Sequence, residues 1–212
     1  MYLPESINEM YSDLLTHRCG VKVAKILEVD VDIYHLAPEE LLQSCGVDFD
    51  SALYYEASQN ETEISGYGDS EYVKGWVSNY IKDENLHSVI FVIKDPKYDG
   101  NELEGWEHQE FLSLLKYLTL LHELGHVDDF NNGNNFFHET RTVDLTKAEA
   151  YADIFAIKYL KNKRHPYEKL ALKTFCKGIL VRARTGHFYS EVHKEITKKV
   201  LEPQIRKWAL TK

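Results

Sequence analysis

Apolar residues recur along this chain with two different periods, and the places where the period changes mark its elements. Ile7, Met10, Leu14 and Leu15 share one face at helical spacing, which predicts an amphipathic helix over 4–18. From Ala24 to Leu36 the pattern shortens towards alternation (KILEVDVDIYHL) and predicts a strand with Val29, Val31 and Ile33 inward. Pro38 opens a short helix, PEELLQSCG, that Gly46 closes. ALYYEASQNETEISGY reads as a hairpin about Gln59-Asn60, and residues 70–82 as a further helix. SVIFVI at 88–93 is apolar without interruption, as in a strand covered on both faces.

An acidic loop (DPKYDGNELEG) follows, and then a helix from about Trp106 to Phe130. Phe111, Leu114, Leu115, Leu118, Leu121 and Leu124 make it apolar on nearly every side, which places it at the centre of the protein. NNGNNFFHETRTVDL is loop-like, and the chain from Thr146 on is helical with breaks near Pro166 and Gly186. The expected fold is α+β, a small N-terminal mixed part followed by a helical C-terminal half. A single domain over 1–212 suits the length, with a lobe at 1–87 and a core with a basic tail at 88–212.

Composition changes the picture little. With 43% apolar and 12% aromatic residues the chain can bury a sizeable core, which excludes disordered and fibrous classes. MYLPESINEMYSDLL has neither the basic start nor the apolar run of a signal peptide. The longest apolar stretch, FLSLLKYLTLL, is interrupted by Lys116 and too short to span a bilayer. Cys19, Cys45 and Cys176 are well separated, with no C-x-x-C, so a reducing, cytoplasmic setting is expected.

Charge adds an asymmetry. Residues 158–212 carry fifteen Lys/Arg against four Glu, whereas the whole chain has a net charge of −9. The expected reading is a basic tail packed on an acidic body. An acidic partner is the other reading, but Phe188, Tyr189 and Trp208 are too sparse for a base-stacking platform and the overall acidity argues against nucleic acid.

The candidate chemistry lies in the central helix, in LTLLHELGHVDDF at 118–130. His122, Glu123 and His126 spell H-E-x-x-H, with both imidazoles one turn apart on one face, where they can grip one cation. Glu123 is turned about 100° away, outside the ligand set but within reach of a water. A catalytic zinc wants a third protein ligand. TKAEAYADIFAIKYL (146–160) presents Glu149 and Asp153 one turn apart, after a loop long enough to reverse the chain. Glu149 would face the histidines, Asp153 would accept the spare N–H of one of them, and the alanines at 148, 150, 152 and 156 would let the two helices approach closely. Thr146-x-x-Glu149 is also a capping box, and His138 and Glu139 are rival third ligands.

Across residues 118–156, H-E-x-x-H followed by E-x-x-A-D-x-x-A resembles the gluzincins, the thermolysin-like zinc peptidases, in their compact soluble form. The resemblance implies a zincin-like fold, with the strand before the helix as the edge on which an extended substrate lies. It implies a Zn²⁺ site of His122, His126 and Glu149, and an endopeptidase acting on an intracellular protein or peptide through metal-activated water. Glu123 would be the general base. It implies too an oxyanion donor from the C-terminal half, for which His187, Tyr189, His193 and Tyr159 are candidates. The competing reading is a binding or regulatory protein on the same scaffold. The intact Glu123 argues against it, since a structural site needs no base. Substrate identity and any regulatory partner stay open.

Overall fold

The computed structural model describes residues 6–16, 19–30, 38–48, 74–96, 108–132, 145–162, 166–184 and 186–210. The first helix, α1 (Ile7–Thr16), starts where Ser6 and Glu9 cap each other. Ser6 Oγ accepts from the Glu9 amide and Glu9 Oε2 accepts from the Ser6 amide, each at 3.3 Å. Three of the four residues of its predicted face, Ile7, Met10 and Leu14, are buried, but Leu15 is exposed. Strand β1 (Lys25–Val29) follows, with Val29 inward; the rest of the predicted strand, including Val31 and Ile33, lies outside the described residues. Helix α2 (Pro38–Ser44) ends at Gly46, which takes φ +68°, as a helix C-terminus requires.

Residues 75–82 are not helical. GWVSNYIK is strand β2 (Gly75–Lys82), joined by a tight turn at Asp83 and Glu84 to β3 (Asn85–Ile93). Both turn residues have positive φ, 52° and 63°, the geometry that Asn-Gly usually supplies. Trp76 and Tyr80 face one way with Phe91 and His87 as cross-strand partners, while Val77 and Asn79 face the other, opposite Ile90 and Ser88. The period is therefore two, and the aromatic and β-branched side chains fill both faces.

The sheet order is β1-β3-β2, with β1 parallel and β2 antiparallel to β3. The strand expected as an edge is thus the central one, as its two-sided burial requires, and β2 is an edge among the described residues. Val89, Phe91 and Ile93 pack on one face with Leu41 and Leu42 of α2, and Trp76 stacks on Phe91 at 4.9 Å. Ile90 and Val92 pack on the other face, in the main core, with α1 and the long helix α3 (His108–Asn131). β3 spans the 87/88 position and ties the N-terminal strands to the rest through one sheet.

Helix α3 is buried all round, as its sequence demands, with Leu114, Leu120, Leu121 and Leu124 wholly inaccessible. Each such side chain contributes about 1.5–3 kcal/mol by burial. Helices α4 (Leu145–Lys161), α5 (Pro166–Arg182), α6 (His187–Thr197) and α7 (Glu202–Leu210) complete the described chain; α5 begins at Pro166 and α6 directly after Gly186, at the predicted breaks. The result is an α+β fold with a small sheet and a helical second half. No described helix is long and apolar enough to cross a membrane. The proposed hairpin about Gln59-Asn60, the loop 134–144 and the rival ligands His138 and Glu139 fall outside the described residues.

Among the described residues the basic tail pairs both within its own helices and with the acidic body. Lys194, Lys198 and Arg206 pair with glutamates of their own helices, while Arg182 crosses to Asp153.

Candidate metal centre

The site is made where α3 and α4 run antiparallel at close range. A Cβ on Gly125 would lie 2.6 Å from the Ala152 Cα and 2.9 Å from its carbonyl oxygen, so only glycine fits between the helices. Ala148, Ala150, Ala152 and Ala156 are all buried, as small residues at a tight seam should be. That closeness brings Glu149 to the His pair. His122 Nε2 lies 3.1 Å from His126 Nε2 and 3.3 Å from Glu149 Oε2, and His126 Nε2 lies 3.4 Å from Glu149 Oε1. Glu149 therefore aims both oxygens at the histidines and does not turn back to cap Thr146.

These separations can be tested against a cation. A tetrahedral zinc with bonds of ~2.0–2.1 Å holds its ligand atoms ~3.3 Å apart. The donor set of two imidazole nitrogens and one carboxylate also suits zinc better than calcium or magnesium, which prefer oxygen. His122 Nδ1 lies 2.9 Å from Asp153 Oδ1, and an Nδ1–H donated there leaves the Nε2 lone pair facing the triangle. Two nitrogens 3.1 Å apart need a proton or a cation between them. Charge points the same way. Glu149 and Asp153 share the charge of one guanidinium, Arg182, and Glu123 adds a third buried carboxylate beside the histidines, a setting that favours a cation or protons on the pair. The residues present fit the metal. His126 is the less supported half of the pair, because its Nδ1 is buried with no hydrogen-bond partner among the described residues.

Proton affinities reflect the same crowding. Burial lowers that of His122, but the Glu149 charge and the Asp153 hydrogen bond outweigh it and hold the imidazole well above its ordinary value. Burial raises Glu149, but His122 and then His126 hold it well below the usual carboxylate range. Asp153, 1% exposed, is likewise raised by burial and pulled down overall by Arg182 and His122. Glu123 differs. It is buried beside the ligands with neither histidine bonded to it, and desolvation pushes its carboxyl up despite the His pair. Strand β2 passes directly over it, since a Cβ on Gly75 would lie 2.6 Å from Thr119 and 3.5 Å from the Glu123 Cγ.

The four candidate oxyanion donors separate. The His187 side chain is 90% exposed and turns to Glu191. Tyr159 is packed among Tyr117, Cys19 and Glu168, none of them site residues. His193 lines a small depression with Asp153, Arg182 and Tyr189, too narrow for a water, and its Nε2 is buried without a partner. Tyr189 is partly exposed and lies under the Arg182 guanidinium, 5.5 Å from ring centroid to Cζ. Burial raises its phenol, Arg182 lowers it, and Glu149 and Asp153 raise it further.

Arg182 is the residue that sequence reasoning missed. A signal was available: Phe175, Ile179 and Arg182 fall at i, i+4 and i+7, so a charge continues the buried stripe of α5. No protein-family model, curated protein or solved structure matches this chain.

Proposed function

We propose that this protein is a zinc-dependent endopeptidase of gluzincin type on a zincin-like α+β fold. The observation that carries the reading is the convergence of His122, His126 and Glu149 to within 3.1–3.4 Å, with Glu123 buried beside them and outside the ligand set. Zinc held by these three residues supplies Lewis acidity toward water and the scissile carbonyl. Glu123 takes the proton of the attacking water and passes it to the leaving amine. Asp153 holds the His122 ring and its tautomer. Tyr189 is the best-placed of the four donors for the developing oxyanion, and an extended peptide would lie along the edge strand β2 beside Glu123. Free thiols at Cys19, Cys45 and Cys176 support a reducing, cytoplasmic setting.

The test is metal analysis paired with Glu123→Gln. Wild-type protein should carry about one zinc per chain and cleave an unstructured protein such as casein. Glu123→Gln should keep the zinc and lose roughly 10²-fold or more of the activity. Full wild-type cleavage after exhaustive chelation would sink the peptidase reading, and loss of metal in the variant would make Glu123 a ligand.

A further inference from the structure

We propose that Arg182 is a positioning residue of the metal centre, acting through Asp153 to set the ring and tautomer of His122. The inference rests on the reading of His122, His126 and Glu149 as a cation site. Asp153 is almost wholly buried, and a carboxylate in that setting must have its oxygens matched. His122 supplies one partner, at 2.9 Å from Oδ1. Arg182 supplies the rest: its Nη2 lies 3.2 Å from Oδ1 and 3.0 Å from Oδ2. Oδ1 is therefore shared between the imidazole and the guanidinium, and the rotation of the carboxylate is set by Arg182. The guanidinium is itself held from the far side, over the ring of Tyr189 on α6. The order of support runs from α6 to α5 to α4 and reaches His122 on α3. Among the described residues nothing comparable supports His126, whose Nδ1 has no partner there.

A plain field effect of Arg182 has the opposite consequence to this one. A fixed positive charge near a cation repels it, so removing that charge should tighten cation binding. Removing a group that orients a ligand should weaken it, by the ~10–100-fold typical of such partners. The sign of the change therefore separates the two roles. Lysine separates them further, because it keeps the charge but loses the planar fork that meets the carboxylate.

The experiment is titration of metal-free full-length protein with Co²⁺, read by its visible d–d absorption, for wild type, Arg182→Lys, Arg182→Gln, Asp153→Asn and the Arg182→Gln/Asp153→Asn pair. Circular dichroism checks the fold of each. Arg182→Lys should bind Co²⁺ on the order of 10-fold more weakly, with an altered band shape that a purely structural role would not produce. Arg182→Gln should also bind more weakly, and the double variant should be no weaker than Asp153→Asn alone, because both act on one path. Unchanged affinity and spectrum in Arg182→Lys overturn the proposal, as does tighter binding in Arg182→Gln or simple additivity in the pair. If Arg182→Gln does not fold, the lysine variant decides. A wild-type protein that binds no Co²⁺ would refute the metal centre itself, an outcome distinct from the failure of Arg182 alone.

Discussion

The two sides of α3 bury polar groups in opposite ways. On the sheet side, Ser88 donates to Asn79 across the β2–β3 pair at 2.6 Å, a neutral and matched couple in an otherwise apolar layer. On the α4 side the same helix presents two largely buried imidazoles to Glu149 and Asp153, the latter paired with Arg182, while Glu123 is buried next to them under β2. A neutral hydrogen bond contributes about 1 kcal/mol net, whereas each buried ion costs several kcal/mol in desolvation before its partners return any of it. Packing alone explains the first couple. It does not explain the second, where charge is in excess and two nitrogens confront each other, and strongly coupled buried groups of this kind concentrate at functional sites.

The sharpest way to break that contrast is Glu149→Gln. If the carboxylate is a ligand, zinc affinity should fall by more than the ~10–100-fold of an outer partner. As a mere helix cap the residue contributes only about 1 kcal/mol, and glutamine keeps part of that. Zinc titration alongside thermal melts separates the two, and unchanged affinity would move the third ligand to His138 or Glu139.

Gly125→Ala tests the seam that makes the site. Alanine gains up to about 1 kcal/mol in helix propensity, yet its methyl would press on Ala152 backbone at 2.6 Å. Net destabilisation of about 1–3 kcal/mol is expected, with weaker zinc binding because Glu149 is carried outward. A variant with a higher melting temperature would show that the helices have room to spare.

The sheet side should respond least, and only in stability. Ser88→Ala leaves the buried Asn79 oxygen without its donor, at about 1–2 kcal/mol, or several degrees in melting temperature. Zinc affinity should not change. A Ser88→Ala protein with impaired zinc binding would mean that the two sides of α3 are not independent.

Legibility followed the same division. The i, i+4 histidines, the all-round burial of α3, and the Glu149/Asp153 pair on the next helix were readable because each is a property of one element with a fixed period. The antiparallel meeting of α3 and α4 followed from the length of the loop between them, and their close approach from the alanines at 148, 150, 152 and 156; the part played by Gly125 emerged only from the structure. Strand β2 was not readable. Its turn is Asp83-Glu84 with both residues at positive φ, where the usual hairpin signal is Asn-Gly, so the boundary carried no mark. Without that turn, residues 70–82 resembled a helix, and β3 was assigned to an edge that β2 occupies among the described residues.

By itself the sequence determined what α3 and α4 would present to each other, since side-chain direction on a helix depends only on spacing. Tertiary structure alone decided that Tyr189, of the four donor candidates, would lie against Arg182, that β2 would cover Glu123, and that Asp153 would be shared between His122 and Arg182. Apart from Arg182–Tyr189, seven positions apart on successive helices, those contacts join residues about thirty or more positions apart, on elements whose mutual placement is set by the packing of the whole core. Local periodicity carries no information about which distant charge will arrive.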